Sequence, residues 1–214
     1  MKVAVHTLGC KLNYSESSTI AREFARRGYE VVSSASDADI YVVNTCSVTE
    51  HSDKKDRNLI RRLHRRSPEA VIAVVGCYAQ LKGEEIAALE GVDIVLGAGS
   101  KGLGGGEGGK VVDSRKDGKQ ARKVELCDID SVDNIFPAYS TGERTRSFLK
   151  IQDGCDYKCS YCTVPYARGG SRSLPARERS RHSAEHLDSS YRGQYRGLWP
   201  QDRGKFSVTF TAAQ

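Results

Sequence analysis

The sequence predicts a doubly wound α/β domain with a mainly parallel sheet, on three observations. Short β-branched apolar runs recur through the first hundred residues, and amphipathic stretches of helical spacing separate them. The runs are also apolar throughout rather than alternating, as strands are when helices cover both faces. Strands alternating with helices build βαβ units. A flavodoxin-like arrangement is therefore expected, with all strand C-termini along one edge, the edge outside which such folds bind ligands.

Residues 3–9 read as the first strand and residues 13–27 as a helix, with Asn13 and Glu16 in the spacing of a capping box. Residues 30–33 form a short second strand before the turn-rich 34–39, and residues 40–45 (IYVVNT) a third. A helix follows to about Arg66, again with Ser47 and Glu50 three apart, and Ser67-Pro68 ends it. Residues 71–76 are a fourth strand, 83–89 a short helix and 92–96 a fifth strand. From 97 to about 146 the pattern breaks. The glycine-rich stretch 97–110 and the charged stretch after it read as a flexible connection with short strands at 110–113 and 123–126. Residues 147–152 (SFLKIQ) then alternate like a strand. The expected organisation is an α/β domain over 1–112, a linker over 113–146 and the start of a second unit over 147–175. Residues 176–214 form an irregular basic tail, with six arginines and no sustained period.

Composition narrows the class. Hydrophobic residues at 38% and charged residues at 28% suit a soluble protein. No apolar stretch approaches the roughly 18–20 residues of a membrane span, and no secretory signal opens the chain, so a cytoplasmic location is expected. In that compartment seven cysteines point to metal ligation or catalysis rather than disulfides. The net charge of +6 favours a polyanionic partner such as RNA.

Six of the cysteines fall into two sets. Cys10, Cys46 and Cys77 each follow a strand directly, so a parallel sheet would carry all three thiols to one edge and make a three-ligand metal site there. The competing reading is three buried cysteines acting as small hydrophobes. Cys155, Cys159 and Cys162 are local, within Gly154-Cys-Asp-Tyr-Lys-Cys-Ser-Tyr-Cys-Thr-Val-Pro165. Three thiolates so close can ligate three irons of one cubane and leave the fourth open to chelate a substrate. A structural zinc is the alternative and would need a fourth ligand, for which Cys127, His182 and His186 are candidates without ordinary zinc-finger spacing.

The segment from Gly154 through Pro165 to Arg168-Gly169-Gly170-Ser171-Arg172-Ser173 resembles the radical S-adenosylmethionine motif of the methylthiotransferases. Thr7-Leu8-Gly9-Cys10-Lys11-Leu12-Asn13, Asn44-Thr45-Cys46 and Gly76-Cys77 resemble their N-terminal cluster domain. The lysine after Cys10 is most similar to the branch acting on N6-threonylcarbamoyladenosine in tRNA. The resemblance covers about residues 1–175. It implies that residues 147–175 begin a radical-SAM barrel. It also implies two [4Fe–4S] clusters, one on Cys155, Cys159 and Cys162 that binds S-adenosyl-L-methionine, and an auxiliary one on Cys10, Cys46 and Cys77 that carries sulfur. The implied reaction inserts a methylthio group at C2 of the modified adenosine. The implied partners are the anticodon region of tRNA, S-adenosylmethionine, an electron donor and a sulfur source. Family members continue into a longer barrel and a small RNA-binding β-barrel. The loss of pattern after Pro175 therefore leads to the expectation of a truncated or frame-shifted chain that does not turn over alone. A non-catalytic iron–sulfur protein and a metal-stabilised RNA-binding module remain the competing readings.

Among weaker signals, Gly97-x-Gly99-x-x-Gly102 matches a dinucleotide fingerprint in letters only, since more glycine follows where a helix should open. Lys54, Lys55, Arg57, Arg61, Arg62, Arg65 and Arg66 share one helix, and that face reads equally as a track for phosphates or as a solvated surface. Cys127 reads as a plain free thiol and His6 as a packed residue.

Overall fold

A parallel sheet organises the chain, seen in a computed structural model that describes residues 1–47, 49–103, 123–140, 148–175 and 178. Its strands are β1 (Lys2–Thr7), β2 (Glu30–Val32), β3 (Ile40–Thr45), β4 (Val71–Gly76), β5 (Val92–Leu96) and β6 (Lys123–Glu125). They lie in the order β2-β1-β3-β4-β5-β6, every neighbouring pair parallel. The first five follow the flavodoxin-like order, whose direction reverses between β1 and β3. The expected fold class is therefore observed.

The apolar runs are explained by two cores. Tyr41, Val43, Ile72 and Val74 pack with Leu59, Ile60 and Leu63 of α2 (Glu50–Arg66). Ile40, Val42, Val71, Ala73 and Val75 point the other way, onto Ile20 and Phe24 of α1 (Lys11–Arg26). Alternate residues thus serve opposite faces, and β3 and β4 are buried at every position. Two one-turn helices, α3 (Cys77–Leu81) and α4 (Gly83–Ala87), complete the α2 side. Beyond the sheet, β7 (Ala138–Tyr139) pairs antiparallel with β8 (Leu149–Lys150). Likewise β9 (Gln152–Asp153) pairs with β10 (Arg172–Ser173), with α5 (Val164–Arg168) between them.

Several local expectations change. Neither capping box forms. Cys10, not Asn13, is the N-cap of α1, and the Asn13 and Glu16 side chains are fully buried. Thr49 caps α2 by accepting from the Ser52 N–H, while the Ser47 hydroxyl donates to Asp53. The spacing suits a cap, but long-range partners claim those side chains. The single turn of α3 carries too few residues to show a period. The stretch after β5, Ala98–Leu103, is a 3₁₀ turn, and the glycines that follow it lie outside the described residues. The short strand expected at 123–126 appears as β6, an edge strand of the main sheet. The strand expected at 110–113 and nearly all of the tail lie outside the described residues.

Gly76, at the end of β4, has φ of +109°, and a Cβ there would sit 2.4 Å from the Thr45 carbonyl oxygen. Gly76→Ala is expected to destabilise the chain by about 1–3 kcal/mol or more, since backbone strain and a clash with backbone add. A urea midpoint with unchanged slope measures it.

Candidate metal centre

β1, β3 and β4 are adjacent, and their register sets the first cysteines side by side. Thr7 pairs with Asn44 and Thr45 with Gly76. Cys46 and Cys77 therefore each stand one residue beyond a paired position, and Cys10 leaves β1 across a short turn. Neighbouring strands are about 4.8 Å apart, so three thiol-bearing positions share the C-terminal edge at the β1/β3 reversal point. The turn is tight. Gly9 has φ of +110°, and a Cβ there would lie 2.5 Å from that of Cys46. Asn13 ties the two loops together, its amide donating to the carbonyls of Leu8 and Thr45 at 2.8 Å each. The Cys46 N–H donates to Asp56 Oδ2 at 3.2 Å. Burial pushes the Asp56 carboxyl up to about 7 against that hydrogen bond, and its other oxygen has no partner among the described residues.

Cys155, Cys159 and Cys162 lie on the loop from β9 to α5. The Cys155 N–H donates to Gly169 O and the Cys162 N–H to Cys159 O, both at 3.0 Å, which closes the loop on itself. Cys159 is exposed and the other two are half-buried. The loop sits beside the first set, because the hydroxyl of Thr163, next to Cys162, donates to the carbonyl of Ser47, next to Cys46, at 3.0 Å. In addition, α3, which begins at Cys77, packs on α5.

All seven cysteines are free thiols. Among the described residues no three His, Cys, Asp or Glu side chains stand together as a ready-made site for a single ion. The donor chemistry fits a cluster instead: three thiols in each set, each able to take a separate iron of a cubane. A zinc tetrahedron would need a fourth ligand. Cys127 is held elsewhere, its sulfur accepting from the Gly99 N–H at 3.3 Å and lying 3.4 Å from Gln80 Oε1. His182 and His186 lie outside the described residues.

His6 is packed, as expected, with its ring 6.0 Å from that of Tyr41 and Nε2 without a hydrogen-bond partner among the described residues. Burial, aided by Arg66 and Arg62, pulls its pKa from 6.5 to about 4. Between those values the unfolded chain binds a proton that the folded chain refuses, so stability is lost as pH falls through this window. His6→Phe is expected to flatten the fall of unfolding free energy below pH 6.5, as read from denaturation at several pH values.

The basic helix divides into two groups. Arg57 pairs with Glu85, and Arg66 with Asp37. Lys54, Lys55, Arg61, Arg62 and Arg65 are exposed and make no ion pair with any described residue. Lys55, Arg61, Arg62 and Arg65 line a 470 Å³ groove that reaches Leu8, two residues before Cys10.

Sequence reasoning missed a buried ionic quartet behind the cysteines. Lys150 Nζ lies 2.7 Å from Glu16 Oε1 and 2.5 Å from Asp153 Oδ2. Arg168 Nη1 lies 3.0 Å from Glu16 Oε1 and 2.7 Å from Asp153 Oδ1. Arg168 is held well above its usual pKa although burial opposes this, because Glu16, Cys77 and Asp153 favour its charge. The only signal in the sequence is a lysine inside an apolar strand, and nothing local names its partner.

Residues 2–97 match the family described as "Uncharacterized protein family UPF0004". The chain is 40% identical over 202 residues to the threonylcarbamoyladenosine tRNA methylthiotransferase MtaB of Bacillus subtilis (strain 168), covering 89% of this chain and 42% of that protein. It is 39% identical over 176 residues to MtaB of Aquifex aeolicus (strain VF5), covering 81% and 42%. It is 31% identical over 195 residues to the tRNA-2-methylthio-N(6)-dimethylallyladenosine synthase of Akkermansia muciniphila, covering 83% and 42%. The chain thus spans less than half the length of these relatives. Residues 2–97 are thus similar to the UPF0004 family, and over most of its length the chain is similar to the first part of tRNA methylthiotransferases.

Proposed function

We propose that this chain carries the cluster-binding part of a tRNA methylthiotransferase acting on N6-threonylcarbamoyladenosine, with S-adenosyl-L-methionine as cosubstrate. The observation that carries the reading is the pair of three-thiol sets, one at the ends of three adjacent strands and one on a neighbouring loop. Cys10, Cys46 and Cys77 hold one [4Fe–4S] cluster, and Cys155, Cys159 and Cys162 the other. When bound, the clusters and S-adenosylmethionine supply the radical cleavage and the sulfur that attach a methylthio group at C2 of the adenine. The protein's share is positional. Asn13 holds the Cys10 and Cys46 loops at one spacing, and the Cys155–Gly169 hydrogen bond fixes the mouth of the second loop. The names of the relatives support tRNA as the partner. An electron donor and a sulfur source are further partners the reaction requires.

The exposed cations along the α2 groove are assigned to the tRNA backbone. Changing Lys55, Arg61, Arg62 and Arg65 to Gln is expected to weaken RNA binding uniformly across sequences. The slope of log affinity against log salt should fall by about 1 for each phosphate no longer neutralised. Filter binding at several salt concentrations measures it.

Anaerobic reconstitution with iron and sulfide tests the reading. Two cubanes, roughly eight irons per chain, are expected. Tightly held zinc with no cluster would overturn it.

A further inference from the structure

We infer that the Glu16–Lys150–Asp153–Arg168 quartet, with Asn13 and Thr163, is a positioning device that fixes how far the two cysteine sets stand apart. The inference rests on the reading that each set holds a cluster.

Arg168 is the central link. Its guanidinium donates to Glu16 at 3.0 Å and 3.4 Å, to Asp153 Oδ1 at 2.7 Å and to Asn13 Oδ1 at 2.7 Å. Asn13 in turn grips the carbonyls of Leu8 and Thr45, the residues that lead into Cys10 and Cys46. Asp153 lies two residues before Cys155, and the residue after Arg168 accepts from the Cys155 N–H. One planar fork therefore touches the loops of both sets. Thr163 makes a second, independent link through Ser47.

The quartet sets two carboxylates against two cations, with Arg172 Nη2 a further cation 3.9 Å from Asp153 Oδ2, and lies almost wholly out of solvent, with side-chain exposures of 0% for Glu16 and Lys150, 3% for Arg168 and 8% for Asp153. Apolar side chains of the same volume would hold such an interface as firmly, since burying ions is expensive. What ions with directional hydrogen bonds add is a single geometry. Apolar surfaces can slide, whereas a fork bonded to three acceptors cannot without stranding a charge. Transfer between two centres is steeply sensitive to such placement, a misplacement of about 1 Å costing on the order of 100-fold.

The test compares the reconstituted wild-type chain with Glu16→Gln and Arg168→Lys. Iron and sulfide are assayed, and the magnetic coupling between the two reduced clusters is read by pulsed electron paramagnetic resonance. Both variants are expected to keep two clusters but to show a broadened inter-cluster distance, Arg168→Lys included, because it keeps the charge and loses the fork. If Glu16→Gln does not fold, Glu16→Gln/Lys150→Met carries the same expectation, since it removes one charge of each sign. Two clusters with a distance distribution as sharp as wild type in every folded variant overturn the positioning role alone. A wild-type chain that binds no cluster overturns the reading beneath it, and is told apart because it fails before any variant is compared.

Discussion

Glu16→Ala is expected to lower the free energy of unfolding by about 3–5 kcal/mol, the scale for removing one partner of a buried ion pair. The glutamate side chain is fully buried and answers both Lys150 and Arg168. Its loss leaves two buried cations to share Asp153. The cost is the desolvation of charge left behind rather than the energy of the hydrogen bonds removed. Glu23→Ala on the same helix is the control. That residue pairs with Arg26 and Arg27 at the surface, and its removal should cost about 0–1 kcal/mol. Urea denaturation of the two variants measures the contrast, and a Glu16→Ala loss no larger than the control's would show that the quartet is not formed.

The second large effect is all-or-none. Changing Cys10, Cys46 and Cys77 together to Ala is expected to remove one [4Fe–4S] cluster and leave the other, and changing Cys155, Cys159 and Cys162 the converse. The sheet should survive the first change, because Cys46 is buried as a small side chain, Cys10 is exposed and Cys77 is half-buried. The expected readout is half the iron and sulfide of wild type in each triple variant, with unchanged far-ultraviolet circular dichroism. Loss of both clusters in either variant would mean that the sets are not independent.

Much of the sheet was legible in the sequence because its strands are short, apolar and bounded by turn residues. The expected ranges 40–45, 71–76 and 92–96 match β3, β4 and β5 residue for residue. The alternation of βαβ units then carried Cys10, Cys46 and Cys77 to one edge, and the observed strand order places them there. The sequence misled where a side chain had both a local and a distant use. Asn13 and Glu16 have the spacing of a cap, yet both turn inward to Arg168, whose partnership with them spans more than 150 residues of chain. The proximity of the two cysteine sets was likewise invisible, since it depends on the Thr163–Ser47 bond and on the quartet, none of which has a local pattern.

The central claim is that the cluster on Cys155, Cys159 and Cys162 keeps an iron open for S-adenosylmethionine while the chain carries a second cluster on Cys10, Cys46 and Cys77. The most direct measurement is the electron paramagnetic resonance spectrum of the reduced, reconstituted chain with and without S-adenosylmethionine. The account predicts a spectrum altered by S-adenosylmethionine in wild type and in the Cys10/Cys46/Cys77→Ala variant, and no alteration in the Cys155/Cys159/Cys162→Ala variant, which still shows a cluster signal. A response to S-adenosylmethionine that persists without Cys155, Cys159 and Cys162 would contradict it.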